Sequence, residues 1–169
     1  SSIPVINALT DREHPCQALA DLLTIREFYG GIRGARVAFI GDGNNVASSL
    51  ALALTTSGNH LAIASPNGYE LPLEIRVKAE RLAYENNASI SLVVNPIDAV
   101  SGSDFIYTDT WVSMGQEIES EQRHKDFEGY RVDTELLTKA SPHVRLMHDL
   151  PAHHGREIED RTRVSVRKE

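Results

Sequence analysis

The chain has 169 residues, of which 41% are hydrophobic, and this suits one ordinary domain with a single buried core. Its 24 acidic residues outnumber 17 lysines and arginines, and the net charge of −7 argues against a broad nucleic-acid interface. The single cysteine, Cys16, excludes an intrachain disulfide, and no apolar run approaches the roughly 20 residues that span a bilayer. We therefore expect a globular protein that binds neither nucleic acid nor membrane. We expect it in the cytoplasm, or in the mitochondrial matrix if a transit peptide has been removed.

The apolar pattern predicts helices that alternate with strands along the chain. A first helix begins near Pro15, because proline suits the first helical position, and it ends at Gly30-Gly31. Its predicted apolar face consists of Ala18, Leu22, Ile25 and Tyr29. Five strands are predicted, at residues 36–40, 61–64, 90–94, 104–108 and 144–147. The helices between them are predicted from residue 44 or 45 to 58, across residues 75–87, near residues 96–100 and at residues 133–140.

Alternating strands and helices indicate right-handed crossovers and a parallel sheet with both faces covered. The predicted fold is therefore α/β: one Rossmann-like three-layer αβα domain with a mainly parallel sheet of about five strands. Residues that directly follow the strands of such a sheet share one edge, where ligands bind. Three polar segments are predicted to converge there, at residues 42–45, 109–114 and 148–151.

The glycine-rich turn Gly41-Asp42-Gly43-Asn44-Asn45-Val46 stands where a dinucleotide-binding fingerprint would stand. Val46 replaces the third glycine, and Ser65-Pro66-Asn67 stands where a ribose-binding acid is expected. We therefore expect no nicotinamide or flavin cofactor. An asparagine cap explains part of the turn. The side-chain amide of the second asparagine can also face a ligand carboxylate, because anions are favoured at a helix N-terminus.

Two groups of histidines leave alternatives open. His14 and Gln17 are three residues apart at a helix start, so they form either a capping and packing pair or two donors for a carbonyl or phosphate oxygen. His148, His153 and His154 lie near Asp149 in sequence, as a metal site would require. Leu150-Pro151-Ala152 interrupts that group, however, and no second cysteine or histidine pair supports it. We expect no bound metal.

Four segments, in their order and spacing, resemble the ornithine carbamoyltransferase family within the aspartate/ornithine carbamoyltransferase superfamily. The resemblance extends from near residue 4 to about residue 158. The matching segments are His14-Pro15-Cys16-Gln17-Ala18-Leu19-Ala20-Asp21, Gly41-Asp42-Gly43-Asn44-Asn45, Asp109-Thr110-Trp111-Val112-Ser113-Met114-Gly115 and His148-x-Leu150-Pro151-Ala152-His153.

The resemblance implies carbamoyl transfer from carbamoyl phosphate to the δ-amine of L-ornithine, giving citrulline and phosphate in arginine biosynthesis. It implies no cofactor or metal, and a homotrimer or higher assembly of the full-length protein. By the same resemblance, carbamoyl phosphate would be bound by His14, Gln17 and Leu150. Ornithine would be bound by Asn45, Asp109, Ser113 and Met114, and Gly115 would let the last loop close over it.

The chain departs from the family at Asp149, where the family has the cysteine that is commonly assigned as proton acceptor. We expect Asp149 to line the site as the catalytic residue. A carboxylate there would accept a proton from the reacting amine, or it would hold the amine as an ammonium ion that cannot attack. An aspartate at position 149 is also compatible with an amine substrate other than ornithine.

The resemblance implies a carbamoyl-phosphate-binding domain with a Ser-x-Arg-Thr-Arg motif upstream of His14 and a final helix, and we expect neither within residues 1–169. We therefore expect residues 1–169 to form the ornithine-binding half of a two-domain enzyme and to be inactive alone. Two other interpretations stay open. One is a sister carbamoyltransferase that acts on putrescine, an acylated ornithine or aspartate; the other is a non-catalytic amino-acid-binding module.

Overall fold

The computed structural model describes residues 2–113, 115–162 and 164, and for residue 117 it describes the backbone alone. Five strands and six α-helices alternate along this part of the chain. The strands are β1 (Arg36–Ile40), β2 (His60–Ala64), β3 (Ser89–Val93), β4 (Phe105–Thr108) and β5 (Arg145–His148). The helices are α1 (Pro15–Tyr29), α2 (Asn45–Thr56), α3 (Leu73–Glu85), α4 (Pro96–Val100), α5 (Ser120–Asp126) and α6 (Thr134–Leu137), and a 3₁₀ turn (Glu117–Glu119) precedes α5.

All strand pairs are parallel, and the strand order across the sheet is β3-β2-β1-β4-β5. The predicted α/β fold with five parallel strands is confirmed. At the carboxyl end the register pairs Ile40 with Ala64 and with Thr108, and it pairs Thr108 with His148. Strands β1, β4 and β5 therefore end level with one another, and the segments that follow them begin at the same edge.

Alternate side chains of the strands enter two separate hydrophobic cores. Val37 and Phe39 of β1 face the core formed with α1, α2 and α3, in which Leu50 is fully buried. Ala38 and Ile40 face the other core, which includes residues of α4 and α6 and the ring of Phe127 after α5. Both faces of the sheet are thus covered, which is the reason its strands are almost continuously apolar.

Three details differ from the sequence-based expectations. Tyr29 is not on the buried face of α1: its hydroxyl donates to the carbonyl of Gly34, and Phe28 packs against the core instead. Helix α6 ends at Leu137, earlier than predicted. The 3₁₀ turn and α5 were not predicted, because their run of charged and polar residues has no apolar stripe.

Among the described residues, no helix combines the length and apolar character that crossing a membrane requires.

Candidate functional site

The three polar segments predicted to converge do meet at the carboxyl edge of the sheet. They follow β1, β4 and β5, which are neighbours in the sheet. Asn44 Nδ2, after β1, donates to Asp109 Oδ2, after β4, at 2.7 Å. Polar atoms of Asp109, His148 and Asp149 all lie within 4.8 Å of one another. The sheet thus gathers acid, amide and imidazole groups from distant parts of the sequence.

The turn after β1 is shaped by a glycine and by an asparagine cap. A Cβ on Gly43 would lie 2.4 Å from the carbonyl carbon of Glu70, so only glycine lets the turn pack so closely on that backbone. Asn44 Oδ1 accepts from the N–H groups of Val46 and Ala47 at 3.0 Å, and this caps α2. Asn44 is therefore both the helix cap and the partner of the following segment.

Asn45, which the family resemblance assigns to ornithine, borders a groove beside this turn. Its Nδ2 donates to the Thr10 carbonyl at 2.8 Å, and its Oδ1 accepts from the Val46 N–H at 3.0 Å. The groove has a volume of about 1230 Å³, and Ser113 also lines it. The Nδ2 amide has two N–H groups, so a ligand carboxylate at Asn45 can accept from the one that does not bind the Thr10 carbonyl.

Asp109 is buried, with 5% of its surface exposed, and both its carboxylate oxygens are occupied. Oδ2 accepts from Asn44, and Oδ1 accepts from the Thr110 N–H at 2.6 Å. Burial, followed by repulsion from Asp149, raises the pKa of Asp109 to about 7, although these two hydrogen bonds oppose the rise. At neutral pH its proton is therefore easily gained or lost.

Asp149 lies in the site, next to the buried ring of His148. Its Oδ1 is 3.2 Å from His148 Nδ1, and that oxygen has no hydrogen-bond partner of good geometry among the described residues. The Leu150 N–H also points at Nδ1, at 2.8 Å. A neutral ring accepts from Leu150 there, whereas a protonated ring donates to Asp149. The carboxylate that replaces the family cysteine thus acts directly on the imidazole.

His148 lies between two carboxyl groups. Its Nε2 is 3.3 Å from Glu157 Oε1, and the Glu157 side chain is almost wholly buried. Burial lowers the pKa of His148, but hydrogen bonds to Asp149 and Glu157 outweigh it and raise the pKa to about 9. For Glu157, burial raises the pKa, and the bonds from His148 and from the His153 N–H outweigh it in the other direction. Sequence reasoning missed Glu157, which no motif marks.

Asp21 is a third buried acid at this edge. It is 5% exposed and comes from α1, and Gln17 Nε2 donates to its Oδ1 at 3.1 Å. Burial raises the pKa of Asp21 to about 7, and the charge of Asp149 adds to the rise. The buried Tyr107 hydroxyl faces these acids, and burial followed by the charge of Asp21 raises its pKa. We call Asp21, Asp109 and Asp149 the acidic cluster.

The pairing of Gln17 with Asp21 was not predicted, although the sequence contains a signal for it. Asp21 is the last residue of the motif segment that begins at His14, and it follows Gln17 by four residues, a spacing that places two side chains on the same face of a helix. The structure shows that Gln17 is turned toward the acidic cluster.

The family resemblance also assigns His14 and Leu150 to carbamoyl phosphate. His14 lies just before α1, and Leu150 lies just after β5. His14 stands at the N-cap of α1 but makes no side-chain cap bond, so the capping interpretation is wrong. Its Nδ1 lies 3.0 Å from the Ala8 carbonyl oxygen, and its N–H donates to Ser49 Oγ at 2.8 Å. Leu150 is exposed and has a positive φ of 64°, a strained conformation for leucine that the bond to His148 helps to hold.

The loop after β4 carries the other two residues that the family resemblance assigns to ornithine, Ser113 and Met114. Ser113 is half-buried, and its N–H donates to Gln116 Oε1 at 3.0 Å. Gly115 has a φ of 88°, which glycine adopts without strain. Met114 lies outside the described residues, so its assignment stays a prediction.

The histidine group considered as a metal site does not assemble as the sequence suggested. His153 is exposed and contacts Glu157 Oε1 at 3.3 Å, while His154 is exposed farther along the chain. A different group, formed by Asp109, His148 and Asp149, has its polar atoms close enough together to surround a cation. The two carboxylates of this arrangement suit an ammonium group as well as a metal ion.

Family comparison agrees with this geometry over most of the chain. Residues 33–165 match the model of the Asp/Orn binding domain of aspartate/ornithine carbamoyltransferase, and residues 1–27 match the model of its carbamoyl-P binding domain. The chain belongs to the aspartate/ornithine carbamoyltransferase family. Helix α1, which supplies Gln17 and Asp21, therefore begins in the part that matches the carbamoyl-P domain.

Individual members of the carbamoyltransferase family are similar over nearly all of the chain. The ornithine carbamoyltransferase of Prochlorococcus marinus is 54% identical over 160 residues, which is 95% of this chain and 50% of that protein. The solved ornithine carbamoyltransferase of Pyrococcus furiosus is 48% identical with a TM-score of 0.90, covering 95% of this chain and 51% of the other. The anabolic enzyme of Campylobacter jejuni is 40% identical with the same TM-score, over 95% and 53%. The chain thus spans about half the length of these relatives.

Proposed function

We propose that this chain supplies the ornithine-binding half of an ornithine carbamoyltransferase, which transfers the carbamoyl group of carbamoyl phosphate to the δ-amine of L-ornithine. Asp109 carries the proposal: a buried acid, held by Asn44 and with a pKa raised to about 7, stands beside two further acids. A cationic ligand would favour the ionised forms of all three. The names of the similar proteins support ornithine as that ligand.

In this proposal the α-ammonium of ornithine lies near Asp109, and its carboxylate lies at the N-terminus of α2 near Asn45. Ser113 and Met114 cover the substrate from the loop after β4. His14, Gln17 and Leu150 meet carbamoyl phosphate, and His14 donates to the carbonyl oxygen as negative charge develops there. Asp149 stands nearest the imidazole of His148 and takes the proton that the attacking amine releases.

Steady-state assay of the whole encoded protein tests the reaction. Citrulline should form from ornithine and carbamoyl phosphate, and matched assays should contain putrescine, N-acetylornithine or aspartate in place of ornithine. A higher kcat/KM with any of these amines would overturn the choice of substrate. The 169-residue chain alone should bind ornithine in calorimetry without forming citrulline. Turnover by that chain would show that the proposed division of labour is wrong.

Assembly and location remain proposals. We infer a homotrimeric or higher assembly from the family, and sedimentation of the encoded protein tests it. Cys16 is exposed and unpaired, which is compatible with the proposed cytoplasmic location.

A further inference from the structure

Arg123 is buried in α5, a helix that carries none of the proposed substrate-binding residues. Its Nη1 donates to Asp42 Oδ2 at 2.8 Å and to the Trp111 carbonyl at 3.0 Å. Its guanidinium carbon lies 4.9 Å from the centre of the Tyr69 ring. One side chain therefore joins three segments that are far apart in sequence.

Two of these segments carry proposed ornithine residues. Asp42 begins the turn that leads to Asn44 and Asn45, and the carbonyl of Trp111 lies two residues before Ser113. The Asp42 side chain is 13% exposed and that of Arg123 is 6% exposed, so water screens their ion pair weakly. A change at Arg123 would therefore disturb the turn and the loop together.

Arg123 also retains an unused donor. Its buried Nε has no hydrogen-bond partner among the described residues, although Glu119 Oε2 lies 3.6 Å away at the end of the 3₁₀ turn. An approach of about 0.7 Å would give a charge-assisted hydrogen bond of ordinary length. The Glu119 side chain can thus supply a further partner for Arg123 without displacing the existing bonds.

We propose that Arg123 is a positioning residue for the amine substrate, which holds the turn at residues 42–45 and the loop at residues 111–113 in the arrangement that binds ornithine. This rests on the proposed function. None of its contacts in the described part of the chain reaches His14, Gln17 or Leu150. Arg123 should therefore affect ornithine and not carbamoyl phosphate.

The test compares Arg123→Gln and Arg123→Lys in the whole encoded protein. Arg123→Gln should raise KM for ornithine at least about 10-fold, because small displacements of binding groups are costly, and it should leave KM for carbamoyl phosphate within about two-fold. Arg123→Lys should recover part of the loss, since an ammonium can donate to Asp42 but lacks the planar guanidinium that lies over the Tyr69 ring. Arg76→Gln, on the exposed surface of α3, is the matched control and should leave both KM values unchanged.

Amide hydrogen exchange gives a second measurement that needs no turnover. In Arg123→Gln, the hydrogen-bonded amides of Val46, Ala47 and Ser113 should exchange faster, while those of β2 and β3 stay protected. An unchanged KM for ornithine would overturn the proposal. The proposal would also be overturned if the strands exchanged as fast as the turn and the loop, both KM values rose to a similar extent and lysine restored nothing. These three results together indicate a general structural role for Arg123. If the unaltered protein forms no citrulline, the proposed function fails, and exchange still decides whether Arg123 links the two segments.

Discussion

Two groups of buried charges lie at the same edge of the sheet and are balanced in opposite ways. In the arginine cluster (Asp42, Tyr69 and Arg123), the one acid is paired with a guanidinium at 2.8 Å. In the acidic cluster (Asp21, Asp109 and Asp149), the charge of Asp149 acts on both other acids, and Asp149 itself contacts the His148 imidazole at 3.2 Å. The acid of the first cluster is paired within the protein, whereas the second cluster has only the His148 imidazole, which Glu157 also contacts.

Burial raises the pKa of an acid in both clusters, and the clusters differ in whether the neighbouring charge opposes that rise or adds to it. Burial raises the pKa of Asp42, but the hydrogen bond and charge of Arg123 oppose the rise. For Asp21 and Asp109 burial raises the pKa to about 7, and the charge of Asp149 adds to it. A cationic ligand would do for the acidic cluster what Arg123 does for Asp42. The difference therefore indicates a structural role for one cluster and a binding role for the other.

The strongest test of this contrast is Asp109→Asn. The amide keeps the shape but removes the charge that would pair with an ammonium, so KM for ornithine should rise by more than about 30-fold in steady-state assays, as for the loss of a buried ionic partner. Thermal stability should change little, because the removal of a repelling charge offsets the loss of one of the two hydrogen bonds that the carboxylate accepts. Asp98→Asn, on an exposed residue of α4, is the control. A KM within about three-fold of the unaltered protein would contradict the binding role.

The pH dependence of stability should also separate the clusters. Asp21 and Asp109 have folded pKa values of about 7, above their unfolded values, so the folded state binds more protons and loses stability as pH rises from about 4 to 7. The raised pKa of His148 stabilises below about 6.5, and that contribution is lost as pH rises through about 9. The free energy of unfolding should therefore fall by more than about 2 kcal/mol between about pH 5 and pH 8.

Urea denaturation at the two pH values measures this decrease. Asp109→Asn should show a smaller decrease, because one of the titrating acids is gone. Ornithine should stabilise the unaltered protein more at the higher pH, where the acids are ionised. Equal pH dependence in the variant and the unaltered protein would show that the acidic cluster does not control stability.

The sequence predicted the edge of the sheet better than the chemistry at that edge. Alternating apolar strands and helices were enough to place residues 42–45, 109–114 and 148–151 together, since topology alone brings the ends of β1, β4 and β5 side by side. The position of Asp149 inside the site followed from the same argument. The polar character of these three segments can be read directly from the sequence.

Groups that act through long-range pairing could not be predicted in this way. Arg123 lies in a charged run that reads as an exposed surface, and its partner Asp42 is 81 residues away. Glu157 follows a loop with no strand or helix pattern, although it contacts His148. Such pairs depend on how the chain folds in three dimensions, and the apolar periodicity of a single helix or strand carries no information about that.

Asp149→Asn should lower two pKa values for opposite physical reasons. Asp149 raises the pKa of His148 by attraction and that of Asp109 by repulsion. Removal of its charge should therefore lower both by about one unit, as expected for the loss of one neighbouring charge. NMR titration of the imidazole and of the carboxyl carbons measures the two shifts. Opposite shifts would show that Asp149 is not charged in the unaltered protein or does not face both groups.

The smallest expected effect tests how the arginine cluster is held. Tyr69 supplies a ring 4.9 Å from the Arg123 guanidinium, and its hydroxyl donates to Asp126 Oδ2 at 2.8 Å. Tyr69→Phe removes the hydrogen bond and keeps the ring, so the free energy of unfolding should fall by only about 1 kcal/mol in urea titrations. KM for ornithine should stay within about two-fold of the unaltered value, because Arg123 keeps its contacts with Asp42 and Trp111.

Tyr69→Ala is the informative companion to Tyr69→Phe. It removes the ring that covers the guanidinium and packs at 4.8 Å from the ring of Phe127, so water gains access to the ion pair between Arg123 and Asp42. The alanine variant should therefore lose more stability and also raise KM for ornithine. Equal losses in the two variants would assign the effect to the hydroxyl. The arginine cluster would then depend on the bond to Asp126 rather than on the aromatic cover.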